Sequence, residues 1–552
     1  MKRLALVLLA LALLAGMASA GERYLYQVFL KSPGDRAQVA ASGLSPYALM
    51  QNSIIAEGTK AEATASGLTF KALLSAPAQG SFYLVIPPFG KTPREERGVI
   101  AQRCEILAED ADGFFVRASP EAAESLLPER FHLVGVGMTP IHLGPSPILD
   151  PPRVAKYDPV IQWIINQITP SEITGILRDL SGERPVIVRS RPDTIRTRYS
   201  LAAKNSSAIW YFYERASSYT GIDSVRFHPF SWSGYTDSNV VVTKVGRRLP
   251  GRQYLIDGHI DSYSENRYVY APGADDNGTG TIAALIAAKV IRQIPFKRTI
   301  KCLAFNAEEN GLWGSDVYAS QAAGRGDTIL GVLNGDMIGT NYTHTDSVIA
   351  YNANRPGSIL LTQRLYEMDT TYHLGVNVIQ NTDAPDWSDH YSFWINGYEA
   401  TSVEEHDFSN VYHTTGDTIG QMDTLYWTKV VKCMVATLCD LAEPDTTFLG
   451  AEAPEKESPA ASACRLSAFP NPARGEVGIQ YSLPQKEEIR LSLYDLCGHR
   501  VLILAQGTQE AGSHTLSWNG FAETGKVARA GVYFVRLLAG GESLTQRLVL
   551  AR

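Results

Sequence analysis

Four apolar runs in the central part of the chain each lead into a short polar motif that contains histidine, aspartate or glutamate. "QYLI" precedes "DGHIDS", "TIKCLAF" precedes "NAEENG", "ILGVL" precedes "NGDMIG", and "ATSVEE" precedes "VYHTTGDT". Helical stretches separate these runs, and this alternation is typical of a largely parallel sheet covered by helices on both faces. Ligands of such sheets bind beyond the carboxyl ends of the strands. Residues 156–446 are therefore predicted to form an α/β domain with a polar site at one edge of its sheet.

A fifth motif, "PGADDNGTG", places Asp275 and Asp276 side by side immediately before the apolar stretch "TIAALIAAKVI". Adjacent carboxylates repel and raise one another's pKa unless a positive group lies between them and the rest of the site. A helix beginning near Thr279 would direct its first N–H groups toward this charge. Four apolar residues of this helix follow helical spacing and are predicted to be core: Ile282, Leu285, Ile286 and Val290. The motif therefore predicts a metal ion at the start of a buried helix.

Each motif alone is also typical of an ordinary structural feature. A His-x-Asp pair often stabilises a turn, Asp-Asp-Asn-Gly is a frequent turn sequence, and adjacent glutamates usually lie on a solvated face. Together, however, the motifs supply two histidines, two aspartates and a glutamate to one edge of the sheet, a donor set that suits zinc or a similar transition metal. Because so many carboxylates are costly to bury without cations, the combination favours a metal site.

The motifs resemble, in order and spacing over residues 256–418, those of the bacterial secreted dizinc aminopeptidases. The matching segments are "GHIDS", "GADDNGTG", "AEENGLWGS", "NGDMIG" and "HTTGDT". The resemblance implies a zinc exopeptidase fold with two zinc ions. It assigns His259 and Asp336 to one ion, Glu309 and His413 to the other, and Asp276 as the carboxylate that bridges both. Asp275 remains the less favoured alternative for the bridge.

Further roles follow from this resemblance. Asp261 would orient the imidazole of His259 as a hydrogen-bond acceptor. Glu308, which is next to a ligand without being one, would act as the general base. Tyr412 is a candidate donor to the oxyanion of the transition state. In "WSDHYSFW", Trp387 is a candidate wall of the substrate pocket. Three residues of this segment are candidate supporting groups: Ser388, Asp389 and His390.

The N-terminal segment "MKRLALVLLALALLAGMASA" has the pattern of a signal peptide, with basic residues, a short apolar stretch and a small-residue cleavage site after Ala20. A secreted protein is therefore expected, and no later stretch reaches the roughly 20 apolar residues that a membrane helix needs. The formal net charge of -7 comes without a basic run, which argues against a nucleic-acid partner. Residues 21–155 are predicted to be a small α+β unit, either a removable pro-segment or a permanent accessory domain.

The C-terminal part is predicted to be a small β-sandwich. Residues 447–463 read as a low-complexity linker, and residues 464–552 contain closely spaced strands separated by Gly and Pro turns. This unit resembles the Ig-like modules of the flagellar hook-cap protein and of type IX secretion sorting domains. The resemblance implies contact with secretion machinery or the cell surface, and a plain surface-binding sandwich is the alternative. Cys464 and Cys497 could pair here, or the chain's cysteines could be buried free thiols.

The expected function is removal of N-terminal, apolar residues from peptides. Carboxylates around the site would favour a substrate's free α-amine, whereas a carboxypeptidase would need a cation for the terminal carboxylate. Arg267 is the only Lys or Arg between "GHIDS" and "GADDNGTG". A carboxypeptidase and a glutaminyl cyclase with one zinc remain alternatives. A surface-binding protein with an inactive peptidase domain is the alternative of another class, although no expected ligand is missing.

Overall fold

The computed structural model describes residues 22–445 and 465–551 apart from short gaps at 33, 77–79, 89, 138–139, 142, 144–154, 470, 472, 474–476, 484, 497 and 541. The predicted signal peptide, linker and Cys464–Cys497 pair lie outside the described residues. None of the helices in the described ranges is long and apolar enough to cross a membrane.

The N-terminal unit contains two four-stranded antiparallel sheets, each with short helices. In the first sheet the strand order is β2-β3-β1-β4, and in the second it is β6-β7-β5-β8. The strands are β1 (Arg23–Phe29), β2 (Ser45–Leu49), β3 (Ser53–Thr59), β4 (Thr69–Ser75), β5 (Ser81–Ile86), β6 (Glu105–Glu109), β7 (Phe114–Ala118) and β8 (His132–Gly135). The helices are α1 (Asp35–Ala41), α2 (Lys60–Ala65), α3 (Pro93–Ala101) and α4 (Pro120–Glu124).

The central unit is built on an eight-stranded sheet, which follows a two-stranded ribbon of β9 (Val186–Val188) and β10 (Arg191–Asp193). The sheet strands are β11 (Ser224–Trp232), β12 (Tyr235–Lys244), β13 (Leu249–His259), β14 (Arg298–Phe305), β15 (Thr328–Gly335), β16 (Ser347–Tyr351), β17 (Asn377–Asn381) and β18 (Ala400–Glu405). The helices are α5 (Pro159–Ile165), α6 (Pro170–Leu180), α7 (Asn205–Ser217), α8 (Gly278–Ile291), α9 (Trp313–Arg325), α10 (Pro356–Tyr372), α11 (His390–Ile395) and α12 (Thr424–Ala442).

The strand order of the large sheet is β11-β12-β14-β13-β15-β18-β16-β17. Strands β14, β13, β15 and β18 run parallel, as do β16 and β17, which confirms the predicted mostly parallel α/β fold. Strands β11 and β12 instead form an antiparallel edge. Their hairpin closes through Ser233 and Gly234, both with positive φ, as a two-residue turn between twisted strands requires.

Helix α8 lies in the centre of this unit, between the sheet and helices α5, α6, α7 and α12. Its four predicted core residues are all confirmed as buried: Ile282, Leu285, Ile286 and Val290. Since α8 is buried on nearly every side, its alanines and glycines allow neighbouring backbones to approach closely. This packing fixes the start of α8 against the ends of β13 and β15.

The C-terminal unit has two antiparallel sheets with a shared apolar core, as predicted for a β-sandwich. The sheet orders are β19-β20-β23 and β22-β21-β24-β25. The strands are β19 (Arg465–Phe469), β20 (Val477–Leu483), β21 (Glu487–Asp495), β22 (Arg500–Gln509), β23 (Gly512–Trp518), β24 (Gly531–Ala539) and β25 (Glu542–Leu550). Among the cysteines within the described ranges, Cys104, Cys302, Cys433 and Cys439 are buried free thiols.

Candidate metal centre

The carboxyl ends of three strands, the turn before helix α8 and the segment after β18 bring the polar motifs together. Strand β13 ends at His259, and Glu308 and Asp336 follow β14 and β15 within three residues. The backbone takes the left-handed conformation at Ala307, Met337 and His413, with φ of 58°, 51° and 57°. Non-glycine residues rarely adopt this conformation, and such residues cluster at functional sites.

Five side chains form two groups that share one carboxylate. His259, Asp276 and Asp336 make up one group, and Asp276, Glu309 and His413 the other, each with donor atoms within 4.8 Å of one another. Asp276 Oδ1 lies 3.3 Å from His259 Nε2, and its Oδ2 lies 3.3 Å from His413 Nε2. The Asp276 carboxylate therefore presents one oxygen to each group, as a carboxylate that bridges two ions must.

In each group the histidine also lies close to the carboxylate that the groups do not share. His259 Nε2 lies 3.4 Å from Asp336 Oδ1, and His413 Nε2 lies 2.7 Å from Glu309 Oε2. All five side chains are buried, with exposed fractions of 11% or less. The arrangement is compact enough for each group to hold one cation.

Asp275 faces away from the two groups. Its Oδ1 accepts a hydrogen bond from Gly339 N at 2.9 Å, and its Oδ2 accepts one from Thr340 Oγ1 at 2.6 Å. The backbone N–H groups of Asp275 and Asp276 donate to Asp417 at 2.9 and 3.0 Å. Asp417, the aspartate of "HTTGDT", has no role that the sequence alone indicates, and here it fixes the turn that presents Asp276.

Asn277 and Gly280 connect this turn to the sheet. Asn277 caps helix α8 by accepting a hydrogen bond from Gly280 N at 2.8 Å, and it donates to Gly335 O at 2.8 Å. A Cβ atom on Gly280 would overlap the carbonyl oxygen of Gly335. The absence of a side chain at Gly280 therefore lets α8 begin directly against the end of β15.

Asp261 contacts the site differently from the sequence expectation. Its carboxylate accepts hydrogen bonds from the backbone N–H groups of Glu308 and Glu309, both at 3.1 Å. Asp261 Oδ1 is 3.6 Å from His259 Nδ1, which lies closer, at 3.2 Å, to the Asp261 carbonyl oxygen. In this geometry the Asp261 carboxylate positions the loop of residues 306–312, the glutamate loop, through these two backbone hydrogen bonds.

Arg198 is fully buried and is a site residue that the sequence alone did not predict. Its guanidinium donates to the carbonyl oxygens of Ile260 at 2.7 Å and Gly273 at 2.7 Å, and also to those of Pro272 and Leu180. Burial lowers its pKa to about 10, against the charges of nearby carboxylates. Arg198 thus joins the segment after His259 to the turn before Asp275 and Asp276. It also places a positive charge behind both segments. No local motif marks it, since its partners are backbone atoms distant in sequence.

Opposing charges govern protonation in the site. Burial raises the pKa of Glu309 to about 7, and Asp276 adds to this effect. Burial would lower the pKa of His413, but the carboxylates of Glu309 and Asp276 raise it to about 10. Burial would likewise raise the pKa of Asp276, yet hydrogen bonds from the two imidazoles hold it below its ordinary value.

The residues present fit divalent cations. Glu309 Oε1 and Asp336 Oδ1 are buried, and neither has a hydrogen-bond donor within the described residues. Buried carboxylate oxygens without a partner are costly, and a bound cation would remove that cost. Two imidazoles and three carboxylates form an N/O donor set that suits zinc.

Glu308 lies beside the two groups and belongs to neither. Its Oε2 is 3.7 Å from His259 Nε2. Burial raises the pKa of Glu308 well above its ordinary value, and the neighbouring carboxylates of Glu309 and Asp336 contribute. A buried carboxyl group poised in this way is suited to exchange a proton with a bound reactant.

The remaining predicted residues differ in their relation to the site. Tyr412 stacks on His413 with ring centroids 3.7 Å apart. Ser388 Oγ donates to Asp336 Oδ2 at 2.6 Å, and Trp387 Nε1 donates to Glu404 at 2.9 Å.

The other two residues of that segment are both buried. Asp389 has no hydrogen-bond partner for its carboxylate oxygens among the described residues. His390 Nε2 bonds to the Pro385 carbonyl at 3.0 Å.

Two parts of the chain match known families. Residues 239–438 match Peptidase family M28, and residues 471–542 match the FlgD Ig-like domain. A probable zinc metalloprotease of Pyrenophora teres f. teres is 28% identical over 209 residues, which cover 35% of this chain and 44% of that protein. A probable leucine aminopeptidase of Trichophyton verrucosum is 24% identical over 43% of this chain and 64% of its own length. The chain thus spans less than two thirds of either relative.

Solved structures share the fold. The LapA aminopeptidase of Legionella pneumophila matches with a TM-score of 0.52 at 19% identity, over 66% of this chain and 99% of LapA. LapB of the same organism matches with a TM-score of 0.54 at 18% identity, over the same shares. The curated relatives named above are fungal and these structures are bacterial, so the comparisons support the family without singling out its bacterial members. Residues 239–438 thus match Peptidase family M28 and share the fold of these aminopeptidase-type structures, and residues 471–542 match the FlgD Ig-like domain.

Proposed function

We propose that the protein is a zinc-dependent aminopeptidase that releases N-terminal, apolar residues from peptides. One observation carries this proposal: Asp276 presents one carboxylate oxygen to each of two potential ligand groups, while Glu308 lies beside both and belongs to neither. His259 and Asp336 would hold one zinc ion, Glu309 and His413 the other, and Asp276 would bridge them.

When bound, two zinc ions supply Lewis acidity that polarises the scissile carbonyl and makes water a better nucleophile. Glu308 accepts the proton of the attacking water at its carboxylate and delivers it to the leaving amine. Asp261 holds the backbone of Glu308 and Glu309 in place through two hydrogen bonds. Tyr412, held against His413 by ring stacking, donates a hydrogen bond to the oxyanion as the carbonyl carbon becomes tetrahedral.

The charge around the site favours an amine over a carboxylate at the substrate terminus. Glu308, Glu309 and Asp276 surround the place where the substrate end would bind, and a free α-amine is attracted to such carboxylates. The two nearby arginines are engaged elsewhere. Arg198 is bound to carbonyl oxygens, and Arg267 bonds to Glu124 and the Tyr263 hydroxyl.

Paired substrates test this proposal. Purified zinc-loaded protein should release p-nitroaniline from Leu-p-nitroanilide and leave the N-acetylated substrate intact, because acetylation removes the charge of the amine. Leucine-terminated peptides with free and acetylated N-termini serve as a second pair, analysed by mass spectrometry. Equal rates on acetylated and free substrates, or release of residues from the C-terminus, would overturn the aminopeptidase assignment.

We further propose that the protein is exported, with residues 1–20 as the signal, and that the FlgD Ig-like domain directs its attachment or sorting. The apolar start of the chain with its small-residue cleavage pattern supports export. The Ig-like unit supports a separate role because it has an apolar core of its own.

A further inference from the structure

The N-terminal unit shares an apolar core with the peptidase domain. Trp313, at the start of α9, lies between Tyr83 of β5 and Trp232 of β11, with ring centroids 6.1 and 5.8 Å away. All three rings are buried. The same core contains Phe114, Val116, Leu126 and Phe131 from the N-terminal unit. Separation of the two units would expose this surface to water at a cost of about 25 cal/mol per Å².

Strand β8 of the N-terminal unit is bonded directly to the glutamate loop. Gly135 N donates to Gly311 O at 2.7 Å, and Gly311 is two residues beyond Glu309. Gly311 has φ of 119°, and a Cβ atom on it would overlap Gly135 N. A Cβ atom on Gly135 would in turn overlap the ring of Trp313. Glycine at both positions permits this close approach.

A buried carboxylate fastens the two units beside the same loop. Glu124, at the end of α4, is buried and accepts hydrogen bonds from Asn310 Nδ2 and from the Tyr199 hydroxyl. Arg267 Nη2 lies 3.4 Å from Glu124 Oε2. Removal of the N-terminal unit would leave these three partners without their acceptor, which is costly for groups placed in a protein interior.

His132, the first residue of β8, lies beside the segment that contacts the metal centre through Ser388. Its ring lies 5.6 Å from that of Trp387, which precedes Ser388, the donor to Asp336. Burial lowers the pKa of His132 to about 4; the charge of His413 lowers it further, and the Asp276 carboxylate opposes this shift. A neutral imidazole beside an indole ring is suited to contact a bound peptide.

We propose that the N-terminal unit is a permanent wall of the substrate cleft and that His132 contacts the bound peptide. This inference rests on the proposed peptidase function and deepens it, since part of substrate recognition then comes from outside the peptidase domain. His132 is thereby a specificity-determining residue: one hydrogen bond to the peptide corresponds to about 0.5–1.5 kcal/mol, or about a 2- to 10-fold change in affinity.

The test compares His132→Ala with the wild type and with His499→Ala, an exposed histidine of the C-terminal unit. KM for leucine-terminated peptides and the calorimetric Kd of free leucine are measured on all three. His132→Ala should raise both constants about 2- to 10-fold, with zinc content and melting temperature unchanged, and His499→Ala should change neither. Unchanged constants in His132→Ala, or a rise in kcat/KM that would identify His132 as an obstruction, would overturn the inference.

N-terminal sequencing of the active species tests the permanence of the wall. The active enzyme should retain the segment that contains His132. A fully active species that begins near residue 156 would overturn the inference. A wild-type protein that releases no amino acid from any peptide would count against the proposed function instead, and the Kd of free leucine would still decide the role of His132.

Discussion

Glu308 and Glu309 are adjacent in sequence, and the fold gives them different surroundings. Glu309 lies 2.7 Å from His413 Nε2 within one ligand group, whereas Glu308 lies beside His259 at 3.7 Å and outside both groups. Two neighbouring carboxylates can therefore have separate tasks, one as a metal ligand and the other as a proton carrier.

Substitution of the two glutamates should separate these tasks. Glu308→Gln should lower kcat about 10²- to 10⁴-fold, which is the usual contribution of a general base, and it should leave the zinc content intact. Glu309→Gln, the matched control, should lose zinc. Both variants are assayed for Leu-p-nitroanilide hydrolysis and for metal by mass spectrometry. If Glu308→Gln kept wild-type kcat, or lost zinc as Glu309→Gln does, Glu308 would not be the base.

Arg198 is predicted to hold together the segment after His259 and the turn before Asp276. Arg198→Met leaves several buried carbonyl groups without a donor and should lower the free energy of unfolding by about 3 kcal/mol, with weaker zinc binding. Arg198→Lys keeps the charge and should have a smaller effect. Urea unfolding and zinc titration against a chelator measure both quantities. Arg196→Met is the control, because Arg196 is exposed two residues away; an equal effect of the two methionine variants would contradict the prediction.

The raised pKa of His413 predicts how the zinc-free protein responds to pH. Its pKa rises from 6.5 to about 10 in the folded protein, so the folded state binds more protons than the unfolded state between these values. The slope of unfolding free energy with pH is then negative. Stability from this group is complete below pH 6.5 and is lost as the pH rises toward 10.

Urea unfolding of the zinc-free protein, prepared with a chelator, between pH 6 and 10 checks this prediction. The wild type should become less stable across the range, and His413→Gln should show a smaller decrease. Greater stability of the zinc-free wild type at pH 9 than at pH 6.5 would contradict the assigned direction.

At the scale of elements, the start of helix α8 depends on close backbone approach. Gly280→Ala would place a methyl group against the Gly335 carbonyl, and overpacking of this kind costs about 1–3 kcal/mol or more. Gly324→Ala, in helix α9, meets no atom within 4 Å and should stabilise by up to about 1 kcal/mol. Thermal unfolding of both variants measures the difference. A Gly280→Ala protein as stable as the wild type would show that this contact relaxes freely.

The elements that carry the site were predictable because their signals are local. Apolar runs identified the strands, and helical spacing identified the core face of α8. The position of Glu124 and β8 was not predictable, since their partners Asn310 and Gly311 are distant in sequence and the contacts are single hydrogen bonds. The role of Asp261 was only partly predictable, because a spacing of two residues from His259 does not reveal its hydrogen bonds to the backbone of the loop after β14.

At the scale of the whole molecule, the Ig-like unit contacts the central unit through apolar and charged side chains. Trp163 packs against Val532, Phe534 and Val549. Arg547 Nη1 lies 3.4 Å from Asp158 Oδ1, and a cavity of about 630 Å³ opens between the two units. The catalytic candidates all lie between His259 and His413.

A chain that ends at about Glu452 should therefore keep its peptidase activity. Its distribution between cell surface and medium should change if the Ig-like unit sorts or attaches the protein. Activity assays and fractionation of the two forms give the answer. A misfolded, inactive truncated protein would make the sandwich part of the catalytic fold, and an unchanged distribution would remove the sorting role.

The central claim is that Asp276 joins two zinc sites in one chain. Native mass spectrometry of the zinc-loaded protein counts bound ions directly. The predicted result is two zinc ions per chain, because each ligand group supplies its own imidazole and carboxylate and shares Asp276. One zinc ion per chain, unchanged by excess zinc, would contradict the claim and favour the cyclase alternative.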